Sequence, residues 1–357
     1  MDGHLGYEKH DQRPKPTTNR RNGTTPKTVR SKVGEMELNI PRDREGSFEP
    51  RLVSKGQTDI SEIQDKVMSM YAKGMSDRDI SAIIQDIYGF EISHETISRI
   101  INRVIPRFEE WQSRPLEALY TFVYVDAMVV KVKDNAKAVN KAIYTVLGID
   151  MNGHKDILGI WISPNEGAHF WMMVFDELKA RGVQHMMFVC IDGLKELEKG
   201  ILTIFPQAQV LRCMVHLVRN SVRFIPTKHY KDFCRDVKQI YGAVSIQAAR
   251  DSLNTLATRW PDYPSAVRVW TDNFEYVERQ FELPMAIRRM VYTTNMIEGV
   301  HSALRKVTRG KAAFPNDDAV FKALFLRIVD LTKKWTMPVP NWSLVLGHLD
   351  VCFNNFL

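Results

Sequence analysis

Residues 121–132, TFVYVDAMVVKV, form an apolar, β-branched run with one carboxylate, Asp126, in its middle. Val, Phe and Tyr at such density suit a strand covered on both faces, and so a sheet buried under helices. An aspartate in that setting is costly unless it is ion-paired, hydrogen-bonded or bound to a metal. The plain reading of a lone acid there is a salt-bridged core or strand-end residue, and only partners from elsewhere in the chain can change it.

From residue 121 onward the pattern is α/β. The first strand, a turn at 133–137, a strand at about 142–149, a turn at 150–153 and a strand at about 156–162 predict an antiparallel meander. A helix at about 168–180, a strand at 186–191, a helix at 194–204 and a strand at 208–212 follow. Three antiparallel strands and then alternating helices and parallel strands is the element order of an RNase H-like domain. Residues 213–290 read as a helical insertion punctuated by Trp260, Pro261, Pro264 and Trp270. Helical stretches at about 294–307 and 317–333, with a basic turn between them, complete the core in 291–357.

Residues 1–55 are polar, with Arg13, Lys15, Arg20, Arg21, Lys27, Arg30 and Lys32 spread among Pro, Thr, Asn and Gly. Without a helical or strand period they predict a largely unstructured basic arm, which either touches DNA phosphates or is a solvated linker. Between 56 and 112 the period becomes helical. Ile60, Ile63, Val67, Met70 and Tyr71 form one stripe before Gly74; Ser76 and Asp79 start a second, with Ile80, Ile83, Ile84 and Ile87, ended by Gly89. Ser93 caps a third, with Ile97, Ile100, Ile101 and Val104 inward before Pro106. Three such helices make an all-α helix-turn-helix region, whose last helix would present His94, Glu95, Ser98, Arg99, Asn102 and Arg103 to base edges. The acids Asp77, Asp79 and Asp86 weigh instead toward a plain structural packet.

Composition sets the class of partner. A formal net charge of +7 and a pI near 9.1 favour a polyanion, and 44% hydrophobic with 25% charged residues is ordinary for a globular protein. No apolar run is long enough to cross a bilayer and no signal segment opens the chain, so no membrane partner and a cytoplasmic protein are expected. Four cysteines, at 190, 213, 234 and 352, do not make a disulfide framework.

Two further acids stand where chemistry is usually built. Asp192 directly follows an apolar strand and precedes Gly193, at a strand's C-terminal end. Glu298 opens a helix followed by Arg305, Lys306, Arg309 and Lys311. Phosphodiester chemistry requires hard oxygen ligands held rigidly around two Mg²⁺ ions, which thiols and imidazoles would not select. Arg212, Arg219 and Arg223 are candidate phosphate contacts or a solvated face. Cys213, His216, His229 and Cys234 have the spacing C-x₂-H-x₁₂-H-x₄-C, compatible with zinc, although core packing of Cys213 beside a hydrogen-bonded His216 is the better reading. Trp260 and Trp270 read as core residues, with stacking on a flipped base as the alternative.

Five segments give these residues a context: YVDAM at Asp126, SPNEGAHFW at 163–171, CIDGLKELEKGI at Asp192, RCMVHLVRN at 212–220 and YTTNMIEGVHSALRK at Glu298. Together, in this order, they resemble the mutator-like DDE transposases of bacterial insertion sequences, over roughly residues 60–355. The resemblance implies an RNase H-like catalytic core in 113–212 and 291–357, a helical insertion at 213–290, and Asp126, Asp192 and Glu298 as catalytic, metal-binding triad for Mg²⁺, with Mn²⁺ as a possible substitute. It implies DNA contacts among Arg99, Asn102, Arg103, Arg212, Arg219, Arg305, Lys306, Arg309 and Lys311, with Cys213 and His216 structural near the site. The implied activity is cleavage and strand transfer on double-stranded DNA, at terminal inverted repeats and a target, by a homodimer at the nucleoid. Three departures stand out: Glu196 where the family usually has Gly, His301 where it usually has Asn, and an N-terminus lacking the further DNA-binding segment the family ordinarily carries. They point to an impaired copy, and keep open a DNA-binding repressor or an RNase H-like nuclease without strand transfer.

Overall fold

The computed structural model describes residues 1–9, 11–31, 34–49, 61–88, 92–135, 137–163, 167–193, 195–292 and 295–352. Ile60, Gly89, Lys32, Leu194 and parts of the SPNEGAHFW and YTTNMIEG segments lie outside them. The chain forms two compact units, one of residues 1–111 with 303–330 and one of 112–302 with 331–357.

The first unit begins with α1 (Asp2–Leu5), β1 (Arg21–Ser31) and β2 (Gly34–Asp43). The strands form an antiparallel hairpin with Val29 opposite Met36 and Lys27 opposite Leu38. This differs from the unstructured arm expected for 1–55. Buried Val29 and Leu38 fall on one face of the ribbon, but the Thr, Lys and Glu residues around them dilute the period-2 signal. Buried Asp43 ties the hairpin's end, accepting from Asn19 Nδ2 at 2.6 Å and Ser47 Oγ at 2.6 Å.

Four helices follow in this unit: α2 (Ser61–Ala72), α3 (Asp77–Tyr88), α4 (His94–Asn102) and α5 (Val104–Ser113). Gly74, at φ 94°, ends α2, since a Cβ is disfavoured in that left-handed region. Ser76 and Asp79 cap each other: the Asp79 amide donates to Ser76 Oγ and the Ser76 amide to Asp79 Oδ2, both at 3.2 Å. Ser93 Oγ accepts from the Thr96 amide and starts α4. The buried stripe of α3 is Ile80, Ile84 and Tyr88, spaced by four, which leaves Ile87 exposed against expectation. Pro106 does not end the helices; it sits in the first turn of α5, where its missing N–H is no loss.

In the second unit β3 (Leu119–Asp134), β4 (Lys137–Ile149) and β5 (Lys155–Ser163) form the expected antiparallel meander. Helix α6 (Ala168–Ala180), β6 (His185–Ile191), α7 (Lys195–Ile204) and β7 (Gln209–Arg212) follow, and the sheet runs β5-β4-β3-β6-β7 with β6 parallel to both neighbours. The helical block contains α8 (Met214–Val222), a 3₁₀ turn at Thr227–His229, α9 (Tyr230–Tyr241), α10 (Ile246–Arg259), α11 (Pro264–Thr271), α12 (Phe274–Phe281) and α13 (Met285–Tyr292). Last come α14 (Asn295–Thr308), which passes into the first unit at residue 303, α15 (Asp317–Thr332), which belongs to the first unit up to residue 330, and α16 (Trp342–Cys352) of the second unit. Trp260 and Trp270 are buried in the core of the helical block, with Phe233, Val237 and Leu256.

The alternation of β3 explains its continuous apolar run. Val123 and Val125 face a core built with Trp171, Phe175, Leu197 and Ile201 of α6 and α7. Phe122 and Tyr124 face the opposite way, where Phe122 meets Trp342 edge-on and Tyr124 donates from Oη to the Met290 carbonyl at 2.9 Å. Both faces are therefore covered, and Asp126 shares the parity of Tyr124. No helix among the described residues is long and apolar enough to cross a membrane.

Gly148 shows how tightly this sheet is packed: a Cβ there would lie 2.5 Å from Cδ1 of the buried Tyr120 ring. Gly148→Ala is expected to destabilise the chain by about 1–3 kcal/mol through overpacking, read as a lower urea midpoint. An unchanged midpoint would show that the ring moves freely.

Candidate active site

The parallel pairing of β3 and β6 sets the chain positions of two of the three acids. In the β3–β6 pair Tyr124 lies opposite Cys190, and Asp126 and Asp192 each stand two residues further along. Asp126 continues β3, whereas Asp192 is the residue directly after the last one of β6, so the two acids lie toward the same end of adjacent parallel strands. Asp192 follows the end of β6, and Gly193 turns the chain there at φ 112°. Buried Arg212 closes in behind that turn, where a Cβ on Gly193 would meet its Nη1. The guanidinium lies 4.2 Å from the Tyr276 ring centroid and 3.4 Å from Glu198 Oε2.

Asp126 has two imidazole partners. His301 Nδ1 lies 3.1 Å from its Oδ2, His216 Nε2 lies 3.6 Å from its Oδ1, and the Ala127 amide donates to Oδ1 at 2.8 Å. Burial works to raise the carboxyl, but the nearby imidazoles of His301 and His216 and the Ala127 amide outweigh it, so Asp126 lies below the ordinary aspartate range. His216 is placed by the turn before it. The Cys213 amide donates to the Ile191 carbonyl at 2.8 Å, tying the start of α8 to the end of β6, and Cys213 Sγ caps α8 by accepting from the His216 amide. His229 packs edge-on to Trp260 and Tyr263.

Glu298 enters through the same two helices. Its Oε1 lies 2.6 Å from Arg219 Nη2. Arg219 stands three residues after His216 on α8, and Glu298 three residues before His301 on α14, so each pair shares a helix face. Residues 216 and 301 grip Asp126, and 219 and 298 join the same helices one turn away. Among the described residues, no three His, Cys, Asp or Glu side chains are drawn together as ligands of one ion. Asp126 and Asp192 offer hard oxygen donors of the kind a divalent cation takes, and the Glu298 carboxylate is held by an arginine. Glu196 is exposed in the first turn of α7, where an acid favours the helix dipole, and is not packed into the site.

The basic candidates separate. Arg219 is about half exposed, at 49%. Arg212 is not a surface phosphate contact as expected: it is the last residue of β7, buried by Tyr276 and the Gly193 turn. In the first unit Arg99 is exposed and pairs with Glu95, Arg103 and Arg305 are half-buried, and Lys306 and Arg309 are exposed. Asn102, expected among the base readers, accepts from Lys322 Nζ at 2.6 Å, and Ser98 donates to Asp77 Oδ2 at 3.1 Å. Lys311 lies 4.4 Å from the Tyr71 ring centroid.

His301 was the residue missed as a partner of Asp126, since one helical histidine three residues past an acid forms no readable pattern. His301→Ala would leave a buried carboxylate without its nearest side-chain partner, at an expected cost of about 2–4 kcal/mol in urea unfolding. His301→Asn, which keeps a donor, should recover most of that stability; equal losses for both would show that His301 acts by packing alone.

Comparison with known proteins agrees with the motif pattern. Residues 1–338 match the family described as Transposase, Mutator family. The chain is 38% identical over 344 residues to a probable transposase for insertion sequence element ISRM3-like of Sinorhizobium fredii (strain NBRC 101917 / NGR234), covering 96% of this chain and 85% of the relative. The transposase for insertion sequence element ISRM3 of Rhizobium meliloti (strain 1021) is 38% identical with the same coverage. The transposase for insertion sequence element IS256 in transposon Tn4001 of Staphylococcus aureus is 29% identical over 333 residues, covering 92% of this chain and 84% of the relative. Family match and full-length similarity thus converge with the motifs around Asp126, Asp192 and Glu298, and the chain belongs to the Mutator family of transposases.

Proposed function

We propose that the chain is a DNA transposase that binds insertion-sequence terminal inverted repeats and carries out Mg²⁺-dependent strand cleavage and strand transfer. Asp126, Asp192 and Glu298 are its catalytic, metal-binding carboxylates on an RNase H-like core of residues 113–212 and 291–357. The observation that supports this reading is that Asp126 on β3 and Asp192 just after β6 each stand two residues past Tyr124 and Cys190, the last paired residues of these parallel strands. Bound magnesium supplies activation of the attacking water or 3′-hydroxyl and stabilisation of the leaving oxygen.

The chain's own residues prepare that site. His301 and His216 hold Asp126 ionised and fixed, and Arg212 with Gly193 sets the turn that carries Asp192. Arg219 holds Glu298 while keeping half its surface open, which suits a guanidinium that exchanges a carboxylate for a DNA phosphate. The helices of 56–112 act as a helix-turn-helix DNA-binding region, with exposed Arg99 on α4 as reader and Lys306 and Arg309 as backbone contacts. Two transposon ends must be joined, so the working form is a homodimer on double-stranded DNA, in the cytoplasm at the nucleoid.

Asp126→Asn and Asp192→Asn should each lower Mg²⁺-dependent cleavage of a duplex carrying the element's terminal repeat by at least about a thousandfold, or about 4 kcal/mol. Binding to the same duplex should stay close to wild type. Cleavage near the wild-type rate in either variant would contradict the assignment, and cleavage without joining of a pre-cut end would leave a nuclease in place of a transposase.

A further inference from the structure

The first unit holds a cavity of about 590 Å³ whose wall comes from that unit alone. One side is the start of α3 at Asp77 and Arg78 together with one face of α4, and the other is the segment carrying Lys311 and Lys322. The size is within the usual range for small-ligand sites, about 300–1,000 Å³, and accommodates a nucleotide unit.

Its charge is unusual for so concave a place. Lys311 and Lys322 are both half-buried on the wall, and among the described residues neither ammonium lies within ion-pair distance of a carboxylate. Lys311 rests between the Tyr71 and Phe314 rings, at 4.4 Å and 5.0 Å from their centroids, and Lys322 donates to Asn102. Burial lowers both ammonium groups, Lys322 lowers Lys311 further, and Asp77 and Asp318 only partly offset this. Asp77, the one acid on the wall, is engaged by Ser98, whereas Arg78 adds a third cation. Two partly dehydrated cations held side by side repel each other, and an anion between them relieves the strain.

We infer that this cavity is a phosphate site, in which Lys311 and Lys322 together hold the phosphate of one nucleotide unit. Resting on the transposase reading, its occupant is a nucleotide of the bound DNA strand. The site ties the DNA to the face of α4 that carries Ser98 and Asn102, so this face works through a pocket and not by direct reading of base edges.

The test uses the full chain and a fluorescent duplex carrying the terminal repeat, with anisotropy measured between 50 and 200 mM salt. Losing one phosphate contact should flatten the slope of log K against log salt by about 0.9 in a Lys311→Met, Lys322→Met double variant, and Lys311→Arg, Lys322→Arg should restore it. Calorimetric titration with deoxyguanosine monophosphate forms the second arm. Nucleotide heat lost in the Met variant, with an unchanged DNA slope, would support the phosphate site with a free nucleotide as its occupant. An unchanged slope together with no Lys-dependent nucleotide heat would overturn the inference. Failure of the wild type to bind DNA would sink the transposase reading, leaving the nucleotide arm to decide on the cavity.

Discussion

A carboxylate in the central strand of a sheet covered on both faces must be compensated, and the second unit is arranged to do so. Asp126 takes its partners from two helices, His216 of α8 and His301 of α14, which belong to segments far apart in the chain. The N-cap at Cys213, the backbone link from Cys213 to Ile191 and the Arg219–Glu298 pair all keep those helices over the strand ends. Removing the acid would make most of these polar contacts purposeless, whereas the apolar core beneath, against α6 and α7, would stand unchanged. The acid is thus compensated by side chains of two helices and by its neighbouring backbone amide.

Much of the strand framework around Asp126 and Asp192 was legible in the sequence. An acid inside a β-branched run calls for a partner, and an acid between an apolar strand and a glycine sits at a strand's C-terminal end; both rules rest on local chemistry, and the strands formed where the rules put them. The capping pair Ser76 and Asp79 and the stop at Gly74 were readable for the same reason. What escaped was tertiary. Burial of Arg212 depends on Tyr276, which lies on a different element, and no spacing rule links a strand-end arginine to it. Glu196, suspect as a bulky acid one turn from Asp192, is exposed, since a helix start turns its first side chains outward as readily as inward. The β1–β2 hairpin escaped because few apolar side chains, Val29 and Leu38 among the described ones, mark its covered face.

In the first unit the sequence suggested a reading helix with a free outer face. Asn102 instead meets Lys322 from 220 residues further along, and Ser98 meets Asp77, so α4 works as one wall of a cavity as well as a surface. That changes the division of labour among the basic residues. Arg99, Lys306 and Arg309 are exposed, where charge acts by long-range attraction of a polyanion, while Lys311 and Lys322 are half-buried and held by neighbouring side chains. Local capping rules built the helices; the choice of which face is open came from chain segments no local rule connects.

The account rests on Asp126 and Asp192 being ligands of the same metal centre. Electron paramagnetic resonance of Mn²⁺ added to the chain in complex with a terminal-repeat duplex tests this most directly, because bound and free ions give distinct spectra. The account predicts tightly bound Mn²⁺ in the wild type that is lost when Asp126 and Asp192 are both replaced by Asn. Retention of the bound ion in that double variant, or no bound ion in the wild-type complex, would contradict it.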